Sequence, residues 1–288
     1  MEILSVQNLC KSYASFSLKD VTFSLESGYI MGFIGANGAG KTTTLKSMLG
    51  LVHKDSGSVR MLGKDFDQNE LELKQLIGFT LGGVDYYAKT PIKRITEVAR
   101  RFYDNWDASV YRSYMHRFKL DENKRPAELS HGMRIKYSLV LALSHHAKLL
   151  LLDEPTSGLD PIARDDLLEL FQELIESGER SILFSTHITS DLEKCADFIT
   201  YIVNGRVVES RSKDELLDAY RLVKGTNEQL GVIASRLIAS KAHSFGFTGL
   251  IKTADLRQED TVMAEIPNLE DIMIYHAKKE TDYEEPAI

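Results

Sequence analysis

Residues 29–50 read YIMGFIGANGAGKTTTLKSMLG, and this stretch decides the fold. Its first part is an unbroken apolar run that leads directly into a glycine-rich turn, and residues that favour a helix follow the turn. The turn fits the pattern G-x-x-x-x-G-K-[ST], with Gly35, Gly40, Lys41 and Thr42 at the defined positions. The order strand, glycine-rich loop, helix therefore predicts a phosphate-binding loop.

Each part of this loop suits a triphosphate. Backbone N–H groups can wrap the phosphates only where side chains do not block the approach, which explains Gly38 and Gly40. The positive end of the following helix points at the anion. Lys41 adds a charge for the β- and γ-phosphates, and the Thr42 hydroxyl is suited to ligate Mg²⁺. A flexible glycine loop without a ligand is the weaker interpretation, because a strand and a helix flank the loop in the required order.

Two later apolar runs lack the alternation of a half-exposed strand. They are KLLLLD at 148–153 and SILFS at 181–185, and the helical pattern DDLLELFQELIESG separates them. This arrangement predicts buried parallel strands joined by a crossover helix. The first run ends in Asp153 and Glu154, at the edge where open α/β sheets bind ligands. Because neighbours on a strand point opposite ways, we expect Asp153 to orient Mg²⁺ and Glu154 to accept a proton from an attacking water.

The rest of the chain divides into regions of different pattern. Alternating apolar residues in 1–30 predict a small antiparallel β region, and helical periodicity over about 88–146 predicts a helical subdomain. The Asn-Gly pair in YIVNGRVVES, residues 201–210, predicts a hairpin at the edge of the sheet. We expect a first domain over 1–217 and a small appended domain over 218–288.

Aromatic residues within the helical region predict a packed face. Tyr111, Tyr114, Met115 and Phe118 recur at helical spacing. Trp106, with Phe102 and Tyr103, fits a core better than a groove for a partner helix. The histidines outside the motifs, including His145 and His146, have no metal-ligand spacing, and we expect them to be solvated.

Six motifs in chain order resemble those of the ATP-binding subunit of an ABC transporter, over residues 1 to about 215. They are Tyr13 for the aromatic that stacks on adenine, GANGAGKTT (35–43) for the Walker A loop, LSHGM (129–133) for the signature, LLLLDEP (149–155) for the Walker B strand, SGLD (157–160) for the D-loop and His187 in STH for the switch histidine. The signature is similar to that of bacterial exporters and antimicrobial-resistance pumps. The resemblance implies an α/β fold: a P-loop ATPase core with an N-terminal antiparallel β subdomain, a helical subdomain and a small C-terminal extension.

The resemblance also implies which residues bind ATP and Mg²⁺. ATP would contact Tyr13, Gly35, Asn37, Gly38, Ala39, Gly40, Lys41, Thr42 and Thr43, together with Ser130, His131, Gly132 and Asp160 of the signature and D-loop. Thr42 and Asp153 would hold the metal. Glu154 would be the catalytic base, and His187 would contact the γ-phosphate.

The signature can serve two purposes at once. Ser130 stands where it would cap the helix that follows, which is the ordinary interpretation of an isolated serine. In the resembled family, the signature of one subunit closes over ATP held by the Walker loop of another. Ser130 would then offer its hydroxyl and the positive end of the helix to the γ-phosphate of a second subunit, and Gly132 would permit the close approach.

Departures from the family pattern affect the expected activity. His131 stands where the family usually has Gly, and Met133 where it usually has Gln. In IGFTLGGVDYY, Gly82 takes the place of the Q-loop glutamine that touches Mg²⁺ and water. We therefore hypothesise ATP binding with hydrolysis that is slow or depends on a partner.

Composition limits the partners and the location. The 288 residues carry a net charge of −7, which disfavours binding to a nucleic-acid backbone, so no nucleic acid is expected. The longest apolar runs fall far short of the roughly 18 residues of a spanning helix, and the N-terminus lacks the pattern of a secretory signal. We expect a cytoplasmic protein, held at the inner face of the cell membrane by an integral membrane permease.

The resemblance favours a motor subunit that dimerises around two ATP–Mg²⁺ to drive a separate permease, with export as the expected direction. The second subunit could be identical or different. The alternative is a soluble ABC-type protein that uses ATP to gate an interaction without transport, although such relatives carry two cassettes or long coiled coils that this sequence lacks. A small-molecule P-loop kinase predicts neither the signature nor the switch histidine. Residues 218–288 are interpreted as a dimerisation or regulatory extension.

Overall fold

The computed structural model describes residues 1–81 and 87–284, without the side chains of residue 81 and of residues 279–284. The chain forms two compact units, Met1–Ser210 and Arg211–Ile288. The division therefore falls seven residues before the position predicted from the sequence. The reason is local, because the helix Lys213–Asp218 packs against the strand Tyr220–Gly225 of the second unit.

Residues 2–212 contain ten described strands and seven described α-helices. The strands are β1 (Glu2–Ser12), β2 (Ser17–Glu26), β3 (Ile30–Ile34), β4 (Ser56–Met61), β5 (Lys64–Asp65), β6 (Ile77–Leu81), β7 (Leu149–Asp153), β8 (Ser181–Thr186), β9 (Phe198–Val203) and β10 (Arg206–Ser212). The helices are α1 (Lys41–Met48), α2 (Glu70–Lys74), α3 (Ile92–Ala99), α4 (Ala108–Arg117), α5 (His131–Ser144), α6 (Pro161–Ile175) and α7 (Thr189–Cys195).

A six-stranded sheet in the order β10-β9-β3-β8-β7-β6 carries the site. Strand β3 pairs in parallel with β8 and β9, and β7 pairs in parallel with β6 and β8. Strands β3 and β8 are buried along their whole length, as the unbroken apolar runs predict. Because the carboxyl ends of parallel strands meet at one edge of a sheet, residues 35, 154 and 187 emerge there together.

The expected antiparallel β region is confirmed as a second sheet, in the order β2-β1-β4-β5. Its apolar face shares one core with the parallel sheet, in which Leu4 and Leu25 lie in the same cluster as Phe33 and Leu151. The predicted hairpin is also confirmed, since Asn204 and Gly205 both have positive φ and join β9 to the edge strand β10.

Helices α3, α4 and α5 lie in the predicted helical region. The predicted stripe on α4 is confirmed, because Tyr111 and Met115 are buried and Tyr114 packs against the same core. Trp106 belongs to this core and lies 5.7 Å from the Tyr111 ring, whereas Phe102 is exposed.

His145 contradicts the prediction of a solvated histidine. Its side chain is 2% exposed, and its ring stacks on Tyr103 with the centroids 3.8 Å apart. Its Nδ1 lies 3.0 Å from the Gln75 carbonyl oxygen. Burial lowers the pKa of His145 to about 4, so the neutral ring is the folded form at neutral pH.

The second unit is a four-stranded antiparallel sheet with helices packed on it. The chain order is α8 (Lys213–Asp218), β11 (Tyr220–Gly225), α9 (Asn227–Ile233), β12 (Leu237–His243), β13 (Gly246–Lys252), β14 (Met263–Glu265) and α10 (Leu269–Glu284), and the strand order is β12-β13-β11-β14. The core is built from Val223, Phe247 and Ile251. Within residues 1–81 and 87–284, no helix combines the length and apolar character needed to cross a membrane.

Candidate nucleotide site

The glycine-rich loop lies between β3 and α1 and is fixed on two sides. Gly40 has φ 114°, and a Cβ there would lie 2.7 Å from Leu18 and 2.8 Å from Phe16. A Cβ at Gly35 would lie 2.4 Å from the Ile202 carbonyl oxygen. At Gly38, with φ 84°, no atom lies within 4 Å of an added Cβ. The loop is therefore closed towards the protein and open to an approaching ligand at Gly38.

Lys41 begins α1 and directs its ammonium back across the loop. Its side chain is 5% exposed, and Nζ donates to the Gly35 carbonyl at 2.7 Å and to the Ala36 carbonyl at 3.2 Å. The same Nζ lies 3.1 Å from Glu154 Oε1. A buried ammonium is thus held at the start of a helix whose first N–H groups have no partner within the helix, which is a favourable place for an anion.

Thr42 and Asp153 meet although 111 residues separate them. The Thr42 hydroxyl donates to Asp153 Oδ2 at 2.8 Å, and the Ser185 hydroxyl donates to Asp153 Oδ1 at 2.6 Å. A hydroxyl and a carboxylate at this distance are oxygen ligands of the kind that Mg²⁺ prefers, and phosphates and water complete its shell in nucleotide sites. The residues therefore fit a magnesium ion bound together with a nucleotide.

Glu154 joins three elements of the site. Its Oε2 lies 2.9 Å from His187 Nδ1, and its Oε1 pairs with Lys41. Its φ of 49° lies in the left-handed region, which costs about 1–3 kcal/mol for a residue other than glycine. The Ser185 hydroxyl accepts a hydrogen bond from the Glu154 N–H at 2.9 Å and stabilises this turn.

The expected divergence of Asp153 and Glu154 is wrong. Strand β7 ends at Asp153, and the left-handed turn at Glu154 breaks the alternation that holds within a strand. Both carboxylates therefore reach the start of α1, Asp153 through Thr42 and Glu154 through Lys41.

The signature serine is a helix cap. Ser130 is exposed, and its Oγ accepts a hydrogen bond from the Met133 N–H at 3.2 Å. A Cβ at Gly132 would lie 3.2 Å from Leu159, so the glycine allows α5 to lie close to the D-loop of its own chain. His131 faces a cleft of about 310 Å³ that Asp153, Glu154 and Ser157 also line.

The D-loop aspartate is also a cap. Asp160 accepts hydrogen bonds from the Ile162 N–H at 3.1 Å and the Ala163 N–H at 3.0 Å, at the start of α6. Like Ser130, Asp160 is exposed and satisfies the first turn of its own helix.

Tyr13 lies in the turn between β1 and β2, and its side chain is 47% exposed. Its N–H donates to the Phe16 carbonyl at 2.8 Å, and Phe16 packs over Gly40 at the start of α1. The turn therefore carries an accessible aromatic ring at Tyr13, while its Phe16 side chain meets the phosphate loop at Gly40. Among the remaining loop residues, Asn37 is exposed, Ala39 is buried and Thr43 is half-buried.

Direct contacts thus join Lys41 to Glu154 and Glu154 to His187, and a separate contact joins Thr42 to Asp153. Ser185 bonds to both Asp153 and Glu154, whereas Tyr13, Ser130 and Asp160 bond to their own turns. The sequence patterns did not reveal Ser185, whose hydroxyl forms hydrogen bonds with the Asp153 carboxylate and with the Glu154 N–H. Ser185 is the register partner of Asp153 on the neighbouring parallel strand, so the alignment of LLLLD with SILFS could have indicated it. The Q-loop position, Gly82, lies outside the described residues.

Comparisons with known proteins identify the family. The ABC transporter family model matches residues 18–157. The chain is 30% identical over 268 residues to the ABC transporter ATP-binding protein YtrB of Bacillus subtilis (strain 168), covering 89% of this chain and 91% of that protein. It is 28% identical to the bacitracin transport ATP-binding protein BcrA of Enterococcus faecalis, over 89% of this chain and 85% of that protein.

A solved structure of an ATP-binding subunit of an ABC transporter is similar with a TM-score of 0.67 and 29% identity, over 74% of this chain and 91% of that one. The fold, the phosphate loop and these relatives agree. The chain belongs to the ABC transporter family, as one of its ATP-binding and ATP-hydrolysing subunits.

Proposed function

We propose that this chain powers export by a separate membrane permease and that two such subunits enclose two ATP molecules. Two sets of contacts at one edge of the sheet carry the proposal: Glu154 with Lys41 and His187, and Thr42 with Asp153. Lys41, Asp153 and Glu154 supply the charges, and Thr42 and His187 the polar groups, that binding and hydrolysis of a nucleoside triphosphate require.

Binding of ATP uses the phosphate loop. Gly35, Gly38 and Gly40 allow the backbone N–H groups to surround the phosphates, Lys41 neutralises the β- and γ-phosphates, and Tyr13 stacks on adenine. Asn37, Ala39 and Thr43 supply further contacts of the loop. Thr42 and Asp153 would hold Mg²⁺, which when bound would neutralise charge that develops on the phosphates.

Hydrolysis uses Glu154 as the base. The oxygen of a water molecule attacks the γ-phosphorus, the bond from that phosphorus to the β–γ bridging oxygen breaks, and Glu154 accepts the proton of the water. The 2.9 Å contact with His187 supports the role of Glu154, because it fixes one carboxylate oxygen while the imidazole can also face the γ-phosphate.

The second half of each ATP site comes from the other subunit. Ser130, His131 and Gly132 at the start of α5 and Asp160 at the start of α6 approach the γ-phosphate held by the partner copy. The N-terminus of α5, with its small and polar residues, supports this role, since a helix N-terminus favours an anion. The second subunit is identical or a close relative.

The membrane partner is a permease, and the chain works at the cytoplasmic face of the cell membrane. The relative named for bacitracin transport supports a role in transport. Nucleic acid is not a partner, because the chain is acidic overall. The second unit, residues 211–288, serves dimerisation or regulation.

Turnover by the isolated subunit is slow or needs the permease, because Gly82 provides no side chain at the Q-loop position. Substituting Gly82→Gln tests this proposal. The isolated Gly82→Gln variant should hydrolyse ATP faster than the wild type, and an unchanged rate together with rapid wild-type turnover would remove the proposal.

The catalytic assignment is tested by Glu154→Gln. Loss of a general base lowers the rate by about 100- to 10,000-fold, whereas the affinity for ATP should remain because Gln keeps the shape of the side chain. Glu179→Gln, at an exposed position, is the matched control and should behave as the wild type. Wild-type turnover by Glu154→Gln would contradict the proposal.

A further inference from the structure

Asp191 is a fully buried carboxylate four residues beyond His187, in the first turn of α7. It accepts a hydrogen bond from the Thr156 hydroxyl at 2.6 Å and a longer one from the Thr186 hydroxyl at 3.5 Å. Arg164 forms an ion pair with it through Nε. A buried charge is stable only when it is paired and hydrogen-bonded, and these three groups meet that need.

The partners of Asp191 come from the segments that carry the proposed site residues. Thr156 lies two residues after Glu154, Arg164 lies four residues after Asp160 on α6, and Thr186 directly precedes His187. One carboxylate therefore links the turn that carries the base, the helix that carries the D-loop aspartate and the loop that carries the switch histidine.

Further hydrogen bonds connect the partners of Asp191 to the segment around His187. Arg164 Nη2 donates to the Ser190 hydroxyl at 2.8 Å, so the guanidinium contacts α7 at two residues, Ser190 and Asp191. The Thr186 hydroxyl accepts from the Ile188 N–H at 3.0 Å, which shapes the backbone around His187. The planar fork of arginine suits such a two-point contact better than the single ammonium of lysine.

Stability alone does not account for this arrangement. Replacing a buried ion pair by apolar residues of similar size is often neutral or stabilising, so a fold that only needed α6 packed on α7 would not require it. A second α6–α7 pair, Lys194 with Asp165, already lies at the surface away from the site. The buried pair differs because it also holds Thr156 and Thr186.

We propose that Asp191 is a positioning residue for ATP hydrolysis, which with Arg164 and Thr156 keeps Glu154 and His187 aligned with the Asp160 segment. The proposal rests on the proposed function, since Glu154 is taken as the base. Asp191 does not touch the nucleotide, so it affects the rate of the chemical step and not the binding of ATP. A shift of the D-loop helix would reach Glu154 and His187 through Arg164 and Asp191.

The test compares Asp191→Asn, Arg164→Gln and Arg164→Lys in single-turnover hydrolysis with protein in excess over ATP, which measures the chemical step even where steady-state turnover is slow. Misplacement of a catalytic group by about 1 Å costs on the order of 100-fold, and we expect a loss of this size for Asp191→Asn and Arg164→Gln. Arg164→Lys keeps the charge without the fork and should restore part of the rate. The Kd for ATP should stay near the wild-type value.

Two controls separate positioning from folding. Lys194→Gln removes the surface α6–α7 pair and should leave the rate unchanged. The double variant Asp191→Asn/Arg164→Gln should be no slower than either single variant, because both act through one interaction. Thermal unfolding of each variant shows that the measured protein is folded.

A folded Asp191→Asn variant with the wild-type rate overturns the proposal, and so does a loss that Lys194→Gln reproduces. If Asp191→Asn does not fold, Arg164→Gln and Thr156→Val decide in its place, and wild-type rates in both would overturn the proposal. Glu154→Gln is measured in parallel. Wild-type activity there would refute the proposed base, whereas an inactive Glu154→Gln beside a fully active Asp191→Asn refutes only the positioning role.

Discussion

The first unit has two polar regions: the nucleotide edge, with Lys41, Glu154 and His187, and the signature edge, with Ser130 and Asp160. The side chains of these two regions find their hydrogen-bond and ion-pair partners in different ways. At the nucleotide edge, Lys41, Glu154 and His187 pair with one another across segments that are far apart in sequence. At the signature edge, Ser130 and Asp160 bond only locally, to the first turns of α5 and α6. Contacts within one chain therefore hold the nucleotide edge together, whereas the signature edge exposes two capped helix ends. A site shared between two subunits requires this difference.

The largest expected effect is at the nucleotide edge. Lys41→Met removes the buried ammonium, and because hydrogen bonds to charged groups are each worth about 1.5–3 kcal/mol, we expect the affinity for ATP to fall about 100-fold or more. Isothermal titration with ATP measures it. Lys46→Met, in the last turn of the same helix, is the control and should bind normally. Equal affinities of the two variants would contradict the role of Lys41.

A pH effect on stability should arise away from both edges, at His145. Its folded pKa of about 4 lies below the usual histidine pKa of 6.5, so the unfolded chain binds the proton more readily between these values. Stability is complete above about pH 6.5 and falls as the pH drops towards 4, by about 3 kcal/mol in total. Chemical denaturation across this pH range should show the decrease, and His145→Gln should flatten it. An unchanged slope would contradict the burial of a neutral ring.

Two substitutions at Ser130 test its two proposed roles separately, the helix cap and the contact with the γ-phosphate of a second subunit. Ser130→Ala removes the cap and should lower the free energy of unfolding by about 1 kcal/mol. Ser130→Asp keeps a capping side chain but places a negative charge where the γ-phosphate of the partner is expected. It should therefore fold as well as the wild type and bind ATP as a single subunit, yet fail to dimerise. Normal dimerisation of Ser130→Asp would remove the ATP role and leave the cap.

The smallest effect is expected for Asp160→Asn. Asn is about as good an N-cap as Asp, so the free energy of unfolding should change by less than about 0.5 kcal/mol. Thermal unfolding measures this change, with Asp160→Ala as the comparison that loses the cap. A large loss of stability in Asp160→Asn would show that the carboxylate has a structural partner beyond α6.

The sequence predicted those features that local patterns determine. The phosphate loop, the buried strands and the hairpin at Asn204 and Gly205 follow from short-range periodicity and turn chemistry. The position of Asp153 at the ligand-binding edge followed from the rule that open α/β sheets bind ligands at the carboxyl ends of their strands.

Features that depend on pairing between distant segments were missed. Ser185 and Asp191 hold the site through the register of β7 with β8 and the packing of α6 on α7, which single-sequence patterns do not reveal. His145 was wrongly predicted to be solvated because its burial depends on the Tyr103 ring from another part of the helical region. The direction of Glu154 was missed because alternation ends where the strand ends.

The most direct test of the account is the mass of the Glu154→Gln variant in solution, measured by light scattering with and without ATP–Mg²⁺. We expect a monomer of 32.5 kDa without nucleotide and a dimer of twice that mass with it, and Ser130→Asp in the same background should abolish the dimer. A Glu154→Gln protein that binds ATP and remains monomeric, both alone and with its permease, would contradict the claim that the signature edge of one copy completes the nucleotide edge of the other.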